Sequence, residues 1–371
     1  MKISCIKENL YKGLLITGGI SSRNTTLPIL NNVLLKTDAI GLTVSATNLE
    51  VGVITKIRGK VQTNGSLTVQ GKLFTELISL LPNEKVDLEV EGVDLKITCA
   101  GHQTTIHGLA AEDFPVIPEV VSKKTISVGC KDFAKALEQV AFAANPNENR
   151  PEISGVLLDI VETNKIALVA TDSYRLAEKI IEITKGGVEL GQIIIPLKTI
   201  QQVVRVINTN EEAVEMGMQI NDNQIMWNIG ETLIVSRIIT AQFPDYKQII
   251  PKKFNTELWI DRMALLQAVK SASLFTRAGI NDVRLQINPS QKNILISAVN
   301  SQLGEDTSTL MLNKITGEAN EIVFNYRYLL DGLNAVNDKE IKLSIVDTNN
   351  PGLLKSANNE DYSYIIMPIR Q

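Results

Sequence analysis

The chain has 371 residues, 44% hydrophobic and 21% charged, with a formal net charge of -4. That length suggests two or three domains, and the composition is that of a soluble globular protein. A surface basic all over, as in many nucleic-acid binders, is excluded. No stretch of some 18 apolar residues reads as a membrane span, and Lys7 and Glu8 stand where a signal peptide needs an apolar run. A cytoplasmic location is expected.

Taken in chain order, the pattern alternates short strands with amphipathic helices. The first helix lies in ENLYKGLLITGG, with Gly18 and Gly19 as its C-cap. GKLFTELISLLP places Phe74, Leu77, Ile78 and Leu81 on one helical face, and Pro82 ends it. KDFAKALEQVAFA (Phe133, Leu137, Val140) and PLKTIQQVVRVI (Ile200, Val203, Val204, Ile207) give two more, the latter with Pro196 at its start. DRMALLQAVKSA (Leu265, Leu266, Val269) and NYRYLLDGLNAV (Tyr326, Leu329, Leu330, Leu333) complete six. Runs such as KVDLEVEGVDLKITC alternate with the two-residue period of strands.

This pattern occurs three times. Residues 27–53 carry NVLL, a turn, a strand and Ala-Thr-Asn-Leu; residues 151–177 carry GVLL and Ala-Thr-Asp-Ser; a weaker copy spans 283–306. Thr47, Thr171 and Val299 correspond, 124 and 128 positions apart, which is the period of whole domains. The Phe-Pro pairs of EDFPVIP and QFPDYKQIIP follow the last strands of the first two copies, since proline cannot continue a ladder. Domains of 1–122, 123–252 and 253–371 follow, each with two helices among strands.

The chemistry-bearing residues are few. Cys5, Cys99 and Cys130 are scattered and odd in number, and read as buried free thiols. His102 and His107 share neither a helix face nor a strand face, so no metal site is expected. Asp172 beside Ser173 has no histidine near in sequence and reads as a turn former. No phosphate-binding glycine motif stands between a strand and a helix, so an enzyme is disfavoured and no cofactor is expected. A sequence-reading DNA regulator would need a recognition helix, and none of the six has a compact Arg, Asn and Gln cluster. The polar helix faces carry Lys12, Lys72, Lys131, Lys135, Lys198, Arg205, Arg262, Lys270 and Arg327, with Glu76, Glu138 and Asp331 among them.

Over its whole length the sequence resembles the bacterial DNA sliding clamps, the beta subunits of DNA polymerase III. The most specific pieces are TLPIL (26–30) after Arg23, ATDSYRLA (170–177), FPDYKQIIP (243–251) and YIIMPIR (364–370). The resemblance implies an α+β DNA clamp fold: three similar domains, each with two helices backed by antiparallel sheets, and two chains closed head to tail into a ring. It implies a processivity factor that slides on double-stranded DNA without sequence preference. The expected partners are a second copy, the replicative polymerase, the clamp loader and other proteins with clamp-binding peptides.

By position, Arg23 and Asn147 match the family's DNA contacts, and the basic helix residues Lys72, Lys135, Lys198 and Arg205 join them. A peptide cleft is implied at Ile153, Thr171, Ser173, Tyr174, Arg175, Leu176, Pro244, Gln248, Ile249, Pro351, Ile365, Ile366, Met367, Pro368, Ile369 and Arg370. In it Arg175 and Arg370 are expected to bond peptide carbonyls or carboxylates. The ring interface is implied at Ile106, Leu274 and Phe275. The chain departs from the family with Asn147 for a frequent Gln and Tyr174 for a frequent His. Gln248 stands for a basic residue, Thr104 for an aromatic and Gln371 for a leucine.

Overall fold

A computed structural model of the chain describes residues 1–20, 27–122, 125–186, 191–277 and 279–370. Six α-helices occur among them: α1 (Lys7–Gly18), α2 (Gly71–Leu80), α3 (Cys130–Ala141), α4 (Leu197–Thr209), α5 (Arg262–Ser273) and α6 (Tyr326–Ala335). All six coincide with the expected apolar periodicities. The strands form four wholly antiparallel sheets, so the fold is α+β.

The chain parts into two compact units. Unit one comprises Met1–Ala134, Ile183–Leu190 and Lys198–Ile239; unit two comprises Lys135–Glu182, Gly191–Leu197 and Thr240–Gln371. The division runs through the second sequence copy because each unit contains a sheet that the copy shares with a neighbour. In unit one, Thr232–Arg237 pairs with Val51–Arg58 and joins an eight-stranded sheet. Thr55 and Thr232 meet there hydroxyl to hydroxyl at 2.9 Å. In unit two, Arg175–Glu182 pairs with Tyr362–Ile366 inside a nine-stranded sheet. Val51 and Arg175 are equivalent in the repeat, and they pair with Ser236 and Ile366 respectively. The same joint is thus made twice.

The repeated Ala-Thr-Asx string has a local cause. Asn48 Oδ1 accepts the N–H groups of Glu50 and Val51. Asp172 Oδ1 accepts those of Tyr174 and Arg175, and Asn300 Oδ1 those of Gln302 and Leu303. Each side chain replaces a backbone acceptor and forces the chain to reverse. The threonine before it adds two bonds: Thr171 Oγ1 accepts from Ser173 N–H and donates to the Arg175 carbonyl. Thr47 does the same with Leu49 and Val51. Val299 has no hydroxyl for this, and the third copy is correspondingly the weakest in sequence.

Each unit seats helices on its sheets through large apolar side chains. Leu10, Leu14 and Phe74 are fully buried in unit one, and Leu265, Val269, Leu329 and Leu333 in unit two. Gly332 of α6 lies so close to the sheet that a Cβ there would stand 2.3 Å from the Tyr364 ring. Two expected boundaries move. Pro196 ends the edge strand Ile193–Pro196, pairing with Gly155, and α4 begins one residue later; an edge tolerates a missing N–H. Gly19 caps α1 with φ -71°, so no left-handed turn demands a glycine. A Cβ there would lie 1.8 Å from Arg205 Nη1, the far end of a flexible side chain that can swing aside.

Candidate functional site

Most of the residues singled out for partner binding gather in unit two around the Arg175–Ile366 joint. The turn Thr171–Arg175 ends one central strand, and the C-terminal tail leaves the other. Met367 N–H donates to the Tyr174 carbonyl at 2.9 Å, fastening the tail to the turn. Ile369 N–H then donates to the Val323 carbonyl at 2.8 Å, tying the tail to the four-stranded sheet. Arg150 Nη1 donates to Ser173 Oγ at 3.0 Å and brings in the loop that leads to Ile153. The segment Pro244–Ile249 is anchored by Tyr246, buried between its neighbours, whose hydroxyl donates to Glu178 Oε2 at 2.6 Å. Burial and then Glu178 raise the Tyr246 phenol pKa, so it stays a donor.

Exposure separates these residues into two groups. Ile153, Leu176, Ile365, Ile366 and Pro351 are buried and form the support beneath. Thr171 is 7% exposed and spends its hydroxyl on the turn. Tyr174 (63% exposed) and Ile249 (44%) face solvent with Ser173, Pro244, Gln248 and Arg370. Met367, Pro368 and Ile369 are half-buried. The apolar surface open to a ligand is therefore Tyr174, Pro244, Ile249 and the tail. Gln248 Nε2 is drawn back onto Asp245 at 2.7 Å.

Arg175 has a different place from the one its residue type suggests. Its side chain is only 12% exposed. Nε donates to Asp172 Oδ2 at 2.9 Å, Nη1 to Asp331, and Nη2 to the Phe142 carbonyl at 2.8 Å. The guanidinium also lies 4.7 Å from the Tyr328 ring centre and 5.4 Å from that of Phe142. Burial opposes its charge, but the Tyr364 phenol and the carboxylates of Asp331 and Asp172 outweigh burial and raise its pKa. Tyr328 in turn stacks under Tyr174, with centroids 6.4 Å apart. The guanidinium is spent on the architecture of the site, while Arg370 is exposed. Tyr328 and Phe142 were not singled out from sequence, and Asp331 was not assigned to this site. Asp331, an acid among basic helix residues, carried the one available signal.

The DNA-contact candidates are spread over both units. Arg23 lies outside the described residues. Lys72 is exposed on α2, 3.7 Å from Glu76, and Lys198 is exposed in the first turn of α4. Arg205 is half-buried, its guanidinium against the Gly19 backbone. In unit two, Lys135 is exposed on α3, and Asn147 is exposed in an Asx turn whose Oδ1 accepts from Asn149 N–H. Of the interface candidates, Leu274 is 71% exposed at the end of α5 and Phe275 is half-buried near Gly304. Ile106 is only 5% exposed and belongs to its own core. The exposed side chains of its strand, His102–His107, are His102, Gln103, Thr105 and His107.

Among the described residues no group of three His, Cys, Asp or Glu side chains could hold a metal ion. No described helix is long and apolar enough to cross a membrane.

Comparison with known proteins agrees with this architecture. Family models for the N-terminal, central and C-terminal domains of the DNA polymerase III beta subunit match residues 1–118, 127–245 and 247–370. The beta sliding clamp of Bacillus subtilis is 27% identical over 381 residues, and that of Pseudomonas putida 28% over 372, each covering 100% of both chains. A Pseudomonas aeruginosa sliding clamp solved with bound griselimycin superposes with a TM-score of 0.95 at 27% identity, covering 100% of both chains. The beta subunit from Thermotoga maritima gives 0.93 at 25%, covering 100% of this chain and 99% of that one. Matched in all three domains and across its full length, this chain belongs to the bacterial DNA polymerase III beta subunit family, the sliding clamps that act as processivity factors of the replicative polymerase.

Proposed function

We propose that two copies of the chain close head to tail around duplex DNA and tether partner proteins through the surface at Tyr174, Pro244, Ile249 and the C-terminal tail. The observation that carries the tethering role is the twofold fastening of the tail, to the Tyr174 carbonyl and to Val323, which presents Met367, Pro368 and Ile369 half-exposed on a rigid frame. A rigid apolar slot with a polar rim suits short, partly disordered peptide segments that must exchange. The relative solved with griselimycin supports a ligand-binding role in the family. The three clamp domains are read as 1–122, 123–252 and 253–371, and the role as one of topology and tethering, with no chemistry of its own.

Ring closure is supported by two strands at sheet ends. His102–His107 ends the five-stranded sheet, and Gly304–Met311 ends the four-stranded sheet beside Phe275. Each offers one unpaired row of backbone groups, which another strand can complete. A heterologous contact between one such end and the other in a second copy closes when the rotation permits. DNA would then be held through phosphate contacts carrying no sequence information, with Arg23, Lys72, Lys135, Asn147, Lys198 and Arg205 as the candidate contacts.

Sedimentation velocity tests the assembly: the parent runs as a dimer, and the double variant Leu274→Glu, Phe275→Glu as a monomer. Clamp loading onto nicked circular DNA tests the topology, since linearising the circle should release the protein. Equal retention on linear and circular DNA, or a double variant that stays dimeric, overturns this reading.

A further inference from the structure

A second groove in unit two adjoins the partner-binding surface and has no role in that description. It encloses about 770 Å³, within the range of roughly 300–1,000 Å³ that accommodates ligands. Its floor is the outward face of the four-stranded sheet, where Arg284 and Val299 stand on adjacent strands. One wall is the C-terminal tail at Ile369 and Arg370, held to Val323 by the backbone bond described above. The other wall bears Arg277 and Ile280, and is tied down where Ile280 and Asn281 N–H groups both donate to the Arg277 carbonyl. Each wall is thus tied by a backbone hydrogen bond.

We propose that this groove receives the flank of the same partner segment whose anchor sits at Tyr174 and Met367, and that this flank carries an apolar residue followed by one acidic residue. The inference rests on the peptide-site reading above. Continuity supports it, because Ile369 and Arg370 belong to both surfaces. Apolar complementarity supports it as well: Val299 is 62% exposed and Ile280 is 40% exposed, with no described side chain covering them. Charge decides the rest. Three arginines face the groove. Arg277 is paired with Asp282, and Arg284 with Glu321 at 2.9 Å. Arg370 is exposed and makes no hydrogen bond or ion pair with a described residue, so it is the one groove cation whose charge an incoming carboxylate can meet. Exposed valine and isoleucine beside two carboxylates suit a peptide better than a phosphodiester backbone.

The test uses the full-length protein and three fluorescein-labelled peptides. One is a short hydrophobic core peptide; the other two extend that core by one apolar and one acidic residue, at its N-terminal or its C-terminal end. On the parent, one extended form should bind about tenfold more tightly than the core, a gain of about 1.4 kcal/mol. Val299→Asp and Ile280→Asp replace exposed side chains, so folding is preserved. They should leave core binding unchanged and abolish the gain. If the core binds and neither extension adds affinity, the groove assignment fails while the peptide site stands. If the core itself does not bind the parent, the peptide-site reading fails and the groove proposal with it. If either variant sediments as a monomer where the parent is a dimer, the groove is a contact between copies and the proposal is overturned. Competition by a short duplex for the extension's gain would assign the groove to phosphates instead, which also overturns it.

Discussion

Replacing Arg175 with alanine tests the account of the partner-binding surface most directly. The guanidinium joins the Asp172 turn, the end of α3 through the Phe142 carbonyl, and α6 through Asp331. Removing it leaves three acceptors to be dealt with. Asp172 keeps the N–H groups of Tyr174 and of residue 175, so its carboxylate is not stranded. Asp331 is 45% exposed and can hydrate. The Phe142 carbonyl loses its guanidinium donor. A hydrogen bond to a charged group contributes about 1.5–3 kcal/mol, a desolvated cation–π contact about 2 kcal/mol, and loss of a fully buried pair costs about 3–5 kcal/mol. Hydration of Asp331 places this case at the lower end, about 3 kcal/mol.

For a unit of this size, about 3 kcal/mol lowers the melting temperature by roughly 6–12 °C. Calorimetry should show that loss in one transition only, the one belonging to unit two. Arg175→Lys should recover less than half of it, because a lysine cannot bond Asp172, Asp331 and a carbonyl in one plane. Peptide affinity should fall in both variants, since Tyr174 stacks on Tyr328, over which the guanidinium lies. If Arg175→Ala melts within 1 °C of the parent yet loses peptide binding, the guanidinium acts on the ligand itself, and the architectural role argued for it is wrong.

Gly332→Ala should destabilise unit two by about 1–3 kcal/mol through overpacking, because the added Cβ meets the rigid Tyr364 ring at 2.3 Å. Gly13→Ala in α1 should cost less, since its nearest contact is the terminal methyl of Ile57; equal losses in denaturant melts would contradict the distinction. The thiol of Cys5 is pushed up to about 12 by burial and then by Asp87, and burial also raises Cys99 and Cys130. All three should resist iodoacetamide at pH 8 until the protein unfolds, and a fast-reacting thiol in the native state would refute their burial. Burial raises the phenols of Tyr246, Tyr362 and Tyr364. Unfolded tyrosines ionise near pH ~10, so above that pH the unfolded chain holds fewer protons than the native one and stability falls as pH rises. Melting of unit two should drop steeply above pH ~10, and Tyr246→Phe should flatten that drop; an unchanged slope would remove Tyr246 from the account.

The parts of this fold that were legible in the sequence are those with local causes. The three Asx turns announce themselves because the side chain that makes each turn sits within three residues of the N–H groups it binds. The six helices show in their apolar spacing because each buries one face. Pairing is another matter. A two-residue period says that Arg175–Glu182 and Tyr362–Ile366 are strands, but the identity of the neighbour is fixed by contacts across nearly two hundred residues. Glycines mislead for the same reason. Gly19 looks like a left-handed helix cap, yet its φ is -71° and what lies against it is Arg205, far along the chain.

The site follows the same logic. Resemblance supplied an address in the chain, and exposure assigns the roles within it. Leu176 and Ile365 pair across the joint and are buried, so they support the surface from beneath. Tyr174 sits two residues from Leu176 yet is 63% exposed, because the Asp172 turn reverses the chain between strand and solvent. Ser173 adopts φ 80° in that turn, a conformation that costs an L-residue about 1–2 kcal/mol. Thr171 and Asp172 offset this with four local hydrogen bonds, and Arg175 locks the result from beneath. The proposed partner surface is built on a strained turn, an arginine whose donors are all engaged within the chain and a tail fastened at two points. The specificity of the site then rests on the few side chains left outside: Tyr174, Pro244, Gln248, Ile249 and the half-exposed tail.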